Sequence, residues 1–158
     1  MKILSYKFFN KTSEVEDYSK MYRKINFKTS YPANFNRLKI FKYLLKKYRP
    51  KKIIDAGCGA GIPLIEIKKM GLNIKGYDKS LNMVNEAKQN LIKYSLPESL
   101  IQVGDFENPK HIKNHSVDCI LGMGAFYYSR NFKKTILNQK LKLKKKGRLI
   151  FSLRNQLF

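Results

Sequence analysis

The chain has 158 residues, 43% hydrophobic and 28% charged, which suits one domain with one modest core and excludes a disordered tail or a multidomain enzyme. Lys and Arg total 33 against 11 Asp and Glu, a formal charge of +22, so cationic partners are repelled and phosphates or anionic surfaces attracted. The bases divide into 27 Lys and 6 Arg in a chain also loaded with Asn (13) and Ile (15), a bias that A/T-rich coding over-supplies.

Residues 1–31 mix aromatics (Tyr6, Phe8, Phe9, Tyr18, Tyr22, Phe27) with charges and hold no sustained period; they read as an N-terminal arm, with the domain proper over 32–158. From Pro32, suited to a first helical turn, Phe35, Leu38, Phe41, Leu44, Leu45 and Tyr48 recur at steps of three and four until Arg49-Pro50 stops them. That spacing predicts an amphipathic helix with Lys on its other face. Short apolar runs then alternate with helical patterns. Strands are expected at Lys52–Ala56, Asn73–Tyr77, Leu100–Val103, Val117–Leu121 and Arg148–Leu153. Helices are expected at Ile62–Met70, Ser80–Tyr94 with Ser80 as N-cap and Asn131–Leu143 with Asn131 as N-cap, and a weaker one around Phe106–Ile112. Strand-helix-strand repeats of this length imply right-handed crossovers and a parallel sheet covered on both faces, an α/β doubly wound, Rossmann-like fold.

Two cysteines, Cys58 and Cys119, supply neither a disulfide framework nor a zinc-spaced cluster. The amino terminus lacks an apolar core of signal-peptide length, and no run of about 18 apolar residues occurs. A cytoplasmic protein without a membrane span is expected.

In doubly wound sheets, ligands sit beyond the carboxyl ends of the strands. Of five Asp in the chain, three fall at or just past such an end: Asp55, Asp78 and Asp105. Each alone is explained by turn and N-cap preference; three together in an acid-poor chain point to a shared polar ligand. The first turn reads Asp55-Ala56-Gly57-Cys58-Gly59-Ala60-Gly61 and opens a helix with Pro63 near its start. Glycines bend the backbone sharply and bring it close to a ligand, and the N–H groups of a helix start are expected to face an anionic group. A dinucleotide fingerprint wants Gly or Ala where Ile62 stands, and no Gly-Lys-Ser/Thr of a P-loop follows.

The turn resembles the first motif of the class I S-adenosylmethionine-dependent methyltransferases, Asp/Glu-x-Gly-x-Gly-x-Gly, filled by Asp55, Gly57, Gly59 and Gly61. The resemblance continues in order through Gly76-Tyr77-Asp78, Gly104-Asp105-Phe106, Val117 to Gly122, and Lys146-Gly147-Arg148 leading into the fifth strand, covering about residues 32–154. It implies S-adenosylmethionine as cofactor, held by Asp55, Gly57, Cys58, Gly59, Gly61, Asp78, Lys79, Asp105, Phe106 and Gly122. Asp78, 21 residues beyond Gly57, would accept from both ribose hydroxyls. Asp105 would accept from the adenine amino group with the Phe106 backbone beside the ring. Asp55 would hold the loop or, indirectly, the methionine ammonium, and Gly122 would leave room near the sulfonium.

Methyl transfer needs mostly alignment in a dry pocket, so a general base is optional and no catalytic residue is named. Tyr127 and Tyr128 either line the acceptor pocket or pack a loop over the sheet edge, and packing is preferred. His111 and His115 are four apart but find no third ligand, so no metal is expected. Cys58 and Cys119 read as small core residues. No Asn-Pro-Pro-Tyr motif follows the fourth strand, where Gly122-Met123-Gly124-Ala125 stands. A small-molecule acceptor is therefore preferred. The alternatives are an RNA or ribosomal methyltransferase, and a non-catalytic cofactor-binding remnant or a subunit completed by a partner strand. Lys is spread over all the expected helices, which predicts diffuse charge and weak nucleic-acid binding without sequence preference.

The family's sheet has seven strands, the last two an antiparallel hairpin beside the fifth. The chain ends at Phe158, so it is expected to be truncated after the fifth strand, as a fragment or a short natural form. Self-association through the exposed edge of that strand is then expected.

Overall fold

The structure is a computed structural model that describes residues 33–153; the expected N-terminal arm and the last five residues lie outside the described residues. Helix α1 (Ala33–Tyr48) is followed by β1 (Ile53–Ala56), α2 (Ile62–Lys68), β2 (Ile74–Asp78), α3 (Leu81–Lys93), a 3-10 turn (Glu98–Leu100) and β3 (Ile101–Val103). Then come β4 (Val117–Gly122), a second 3-10 turn (Phe126–Tyr128), α4 (Phe132–Lys142) and β5 (Leu143–Phe151). The strands join in the order β3-β2-β1-β4-β5 and every neighbouring pair is parallel. This is the Rossmann-like α/β sheet expected from the alternation of apolar runs and helical periods.

Strand β1 is buried at all four positions, and its alternating side chains supply two cores. Ile53 joins Ile74, Ile101 and Leu121 beneath Leu38, Phe41 and Leu45 of α1, Leu64 and Ile67 of α2, and Val84 and Leu91 of α3. Ile54 on the other face joins Tyr77, Ile120, Phe126 and Leu143, with Ile136 of α4 packed beside them. The two expected N-caps form. Ser80 Oγ accepts from the Met83 N–H at 3.2 Å, and Asn131 Oδ1 accepts from the Lys134 N–H at 3.0 Å, each satisfying a donor the helix start leaves open.

Two elements differ from expectation. The helix expected around Phe106–Ile112 is absent; the β3-to-β4 crossover is a run of turns. Asp105 Oδ1 accepts from the Glu107 N–H at 2.8 Å, and Pro109, which has no N–H to donate, is buried in the middle of it. With no helix there, α4 covers the gap with a polar face. Gln139, fully buried, donates from Nε2 to Tyr77 Oη at 3.1 Å and to the Phe106 carbonyl at 2.6 Å. Leu137 and Leu141 of the same helix stay half exposed.

Strand β5 starts at Leu143 rather than Arg148, directly off α4. Val117 pairs with Leu143 but Cys119 pairs with Arg148, so Lys144 to Gly147 form a bulge opposite Asp118. The glycine turn read from the sequence is thereby absorbed into the strand. Among the described residues β3 and β5 are the sheet edges, and β5 carries Lys144, Lys145, Lys146 and Arg148. Like charges along an edge work against pairing with a second copy. Among the described residues no helix is long and apolar enough to cross a membrane.

Candidate functional site

The sheet winds in opposite directions from β1 and β4, and the crevice between their carboxyl ends is where such folds hold ligands. The turn after β1 opens there. Gly57, Gly59 and Gly61 have φ of 79°, 52° and 77°, a left-handed backbone that side chains resist. A Cβ on Gly57 would lie 2.5 Å from the Ala125 Cβ, and one on Gly61 would lie 3.0 Å from Ile101 Cδ1; beside Gly59 nothing stands within 4 Å. Gly57 and Gly61 are thus fixed by packing, whereas Gly59 faces open space where a ligand can approach.

Four of the turn's N–H groups are committed within the protein. Those of Gly57 and Cys58 donate to the Tyr77 carbonyl (2.9 and 3.1 Å), that of Gly61 to the Cys58 carbonyl (3.0 Å), and that of Gly59 to Asp78 Oδ2 (2.9 Å). Those four donors of the expected anion cradle are therefore spent inside the protein, and a buried carboxylate stands beside them. Asp55 is 1% exposed, and neither of its oxygens has a hydrogen-bond partner among the described residues. Burial, helped by the nearby Asp78 charge, pushes its carboxyl up to about 7. A carboxylate in this position costs free energy unless a cation or a donor meets it.

Asp78 ends β2. Its Oδ2 holds Gly59 and its Oδ1 accepts from the Ser80 N–H at 2.9 Å, so it fastens the glycine turn to the start of α3. Burial raises its carboxyl above the ordinary value, against the pull of these backbone donors. The Lys79 backbone also donates to it, so three of its roughly four lone-pair sites are used and the capacity left for ligand hydroxyls is small. Asp105, past β3, pairs with Lys79 Nζ at 2.6 Å. The two residues implied separately as ligand contacts thus form one ion pair at the rim. The Phe106 ring lies 3.6 Å from the position a Gly57 Cβ would take and stacks on Phe126, while its carbonyl is committed to Gln139.

Other expected residues are placed differently. The space beside Gly122 is filled by the Phe126 ring, 2.8 Å from where a Cβ would stand, so packing within the fold explains that glycine. Cys58 packs against Gly76, and burial together with Asp78 and Asp55 holds its thiol well above the ordinary range. Burial likewise pushes Cys119 up to about 12; neither sulfur is placed as a nucleophile. His111 meets the Tyr77 ring edge-on at 4.5 Å, whereas His115 Nδ1 lies 3.2 Å from the Leu143 carbonyl. Among the described residues no three His, Cys, Asp or Glu gather as metal ligands.

Arg37 escaped the sequence reading. Its guanidinium nitrogen occupies the space beside Gly124, 2.8 Å from where a Cβ would stand, with Tyr127 Oη 3.7 Å from the same point. Gly124 adjoins Ala125, which packs on Gly57, so the first turns of α1 bring a cation to the lip of the glycine turn. Nothing marks Arg37 in the sequence except that Arg is scarce in this chain.

A methyltransferase-domain family model matches residues 49–157. A candidate S-adenosyl-L-methionine-dependent methyltransferase of Methanococcus maripaludis superimposes with a TM-score of 0.71 at 21% identity, over 96% of this chain and 64% of that one. A structure described as a candidate sarcosine dimethylglycine methyltransferase of Galdieria sulphuraria has a TM-score of 0.71 at 17% identity, over 93% and 58%. One from Thermotoga maritima, described as a candidate histamine N-methyltransferase, has 0.65 at 20%, over 96% and 60%. The chain spans about three fifths of the length of each of these structures. No curated protein sequence matches it.

Proposed function

The chain belongs to the class I S-adenosylmethionine-dependent methyltransferase family, and from that premise we propose that it binds S-adenosylmethionine at the Asp55–Gly61 turn and directs methyl transfer to a small-molecule acceptor. The carrying observation is the buried, unpartnered Asp55 carboxylate beside a glycine turn in which the N–H groups of Gly57, Cys58, Gly59 and Gly61 are already satisfied. Such a site disfavours the pyrophosphate of a dinucleotide and suits a cationic, hydroxyl-bearing ligand.

The cofactor supplies a methyl group already activated on a sulfonium cation. The protein's own residues bind, orient and exclude water. Asp55 offers its carboxylate toward the methionine ammonium and Arg37 offers the opposite charge toward the methionine carboxylate, a pairing fit for a zwitterion. Asp78 presents its remaining lone pairs to the ribose hydroxyls, and Asp105 and Phe106 flank the adenine position. Tyr127, on the 3-10 turn after β4, borders the side from which an acceptor enters.

Two features favour a small acceptor over RNA at this mouth. Asp55, Asp78, Asp105 and Glu107 offset part of the basic charge at this end of the sheet, which weakens the pull on a polyanion toward the methyl group. Two of the structures above are described by small amine substrates.

Isothermal calorimetry with S-adenosylhomocysteine tests the cofactor reading. Gly59→Ala is expected to cost about 1 kcal/mol of stability, the strain of a left-handed Ala, because nothing stands within 4 Å of the new methyl. It should nevertheless lower affinity at least about tenfold, since that methyl fills the ligand's approach. Unchanged affinity in a folded Gly59→Ala chain would remove the turn from the site.

A further inference from the structure

We infer that the end of the sheet opposite the glycine turn is a docking face for the phosphate backbone of single-stranded nucleic acid. Cations settle near helix carboxyl termini, where they offset the macrodipole, and a parallel sheet with crossover helices brings those termini to one end. The last turns carry Lys46 and Lys47 in α1, Lys68 in α2, Lys93 in α3, and Lys140 and Lys142 in α4. Strand starts lie at the same end, so Lys51 and Lys52 before β1 and the Lys144-Lys145-Lys146 bulge of β5 add to it.

Charges spread evenly along the sequence are therefore gathered in space. Asp118, Glu66 and Glu98 stand among them; Asp118 is held by Lys144 Nζ at 2.9 Å and by the Lys52 N–H at 2.8 Å, and Glu66 by Lys42 at 3.2 Å and Lys69 at 3.1 Å. The carboxylates that offset bases elsewhere, Asp55, Asp78 and Asp105, lie at the other end of the strands.

Exposed tyrosines sit among these cations. Tyr48 is 37% exposed, with the Arg148 guanidinium 4.2 Å and Lys47 Nζ 5.7 Å from its ring centre; Tyr94 is 49% exposed, with Lys69 Nζ 3.9 Å away. Cations that track a backbone, interleaved with aromatic faces, are what sequence-tolerant single-strand binding uses. The bound strand lies away from the methyl-transfer crevice, so this face recruits or anchors and does not present an acceptor atom.

Fluorescence anisotropy of the full chain, with one mixed sequence as labelled single-stranded RNA and as DNA, tests the inference over a salt series. Each phosphate contact contributes about 0.7 to the slope of log affinity against log salt. The triple change Lys47→Gln, Lys145→Gln, Lys146→Gln should lower that slope by about two and weaken binding at least about tenfold at moderate salt. Its calorimetric affinity for S-adenosylhomocysteine should not change, which also reports an intact fold. Lys133→Gln with Lys134→Gln, at the far end of α4, should alter binding by no more than about twofold, as expected of screened, distant charges. Tighter binding of RNA than DNA identifies RNA as the partner, and equal binding identifies the backbone alone; either supports the face. Equal losses per charge from the two sets would show diffuse attraction and overturn it. Capture by phosphatidylserine vesicles, lost in the triple variant of a chain that ignores both nucleic acids, would overturn it in favour of a membrane surface.

Discussion

Asp78→Ala is expected to weaken S-adenosylhomocysteine binding by roughly a hundredfold or more. Two hydrogen bonds from ligand hydroxyls to a charged acceptor contribute about 1.5–3 kcal/mol each, and each 1.4 kcal/mol is about tenfold in affinity. The same substitution frees the Gly59 and Ser80 N–H groups that Asp78 now holds at 2.9 Å, so the glycine turn loses its tie to α3 as well. Methylthioadenosine, which keeps the ribose and lacks the amino-acid end, should lose affinity by a similar factor. Calorimetry with both ligands separates the causes: a loss for S-adenosylhomocysteine with methylthioadenosine unchanged would take Asp78 away from the ribose, and no loss for either would take it out of the site.

The order of elements, the caps at Ser80 and Asn131, and the three strand-end acids were legible because each rests on local chemistry: apolar period, side-chain acceptors at helix starts, and polar residues where a buried strand stops. Three features were not, because they are properties of the assembled sheet. Lys144 to Gly147 read as a turn by composition, and only pairing with β4 turns them into a bulged strand. Arg37 is one cation among many until Gly124 leaves room for its guanidinium. The basic end exists only once parallel topology aligns the helix termini. The missing helix after Asp105 has a local reason in Pro109 and the Asp105 turn, which the apolar spacing of Phe106 and Ile112 obscured.

The same distinction bears on the turn itself. Its glycine pattern is compatible with an anion cradle or with a cation-seeking site, and the pattern does not choose between them. The choice is made by tertiary partners: the Tyr77 carbonyl and Asp78 take the N–H groups of Gly57, Cys58 and Gly59, and Asp55 is left with none. On the proposed reading, a ligand is recognised here by what the fold leaves unsatisfied.

Asp55 consequently predicts a pH dependence of unusual sign. Its carboxyl stands at about 7 in the folded chain against an ordinary 3.8, so between these values the folded state holds a proton that the unfolded state has released. Stability therefore falls as pH rises through this window and levels off above about 7, by up to about 4 kcal/mol for a shift of this size. Asp55→Asn removes the titration. In urea denaturation the variant should gain on the wild type progressively from about pH 4 to 7 and keep that gain at higher pH, reduced by whatever its own buried amide leaves unpaired. A bound ammonium reverses the energetics, because it favours the carboxylate and drives the proton out. Wild-type affinity for S-adenosylhomocysteine should then rise about tenfold per pH unit toward 7 and level off beyond it, with proton release detectable by calorimetry in buffers of different ionisation enthalpy. The Asn variant should bind weakly with no such rise, and methylthioadenosine, which has no ammonium, should distinguish neither the pH values nor the two proteins. An affinity for S-adenosylhomocysteine that stays flat across the window, or a stability difference between the two chains that does not grow with pH, would show that Asp55 is paired in solution and is not the residue that meets the ammonium.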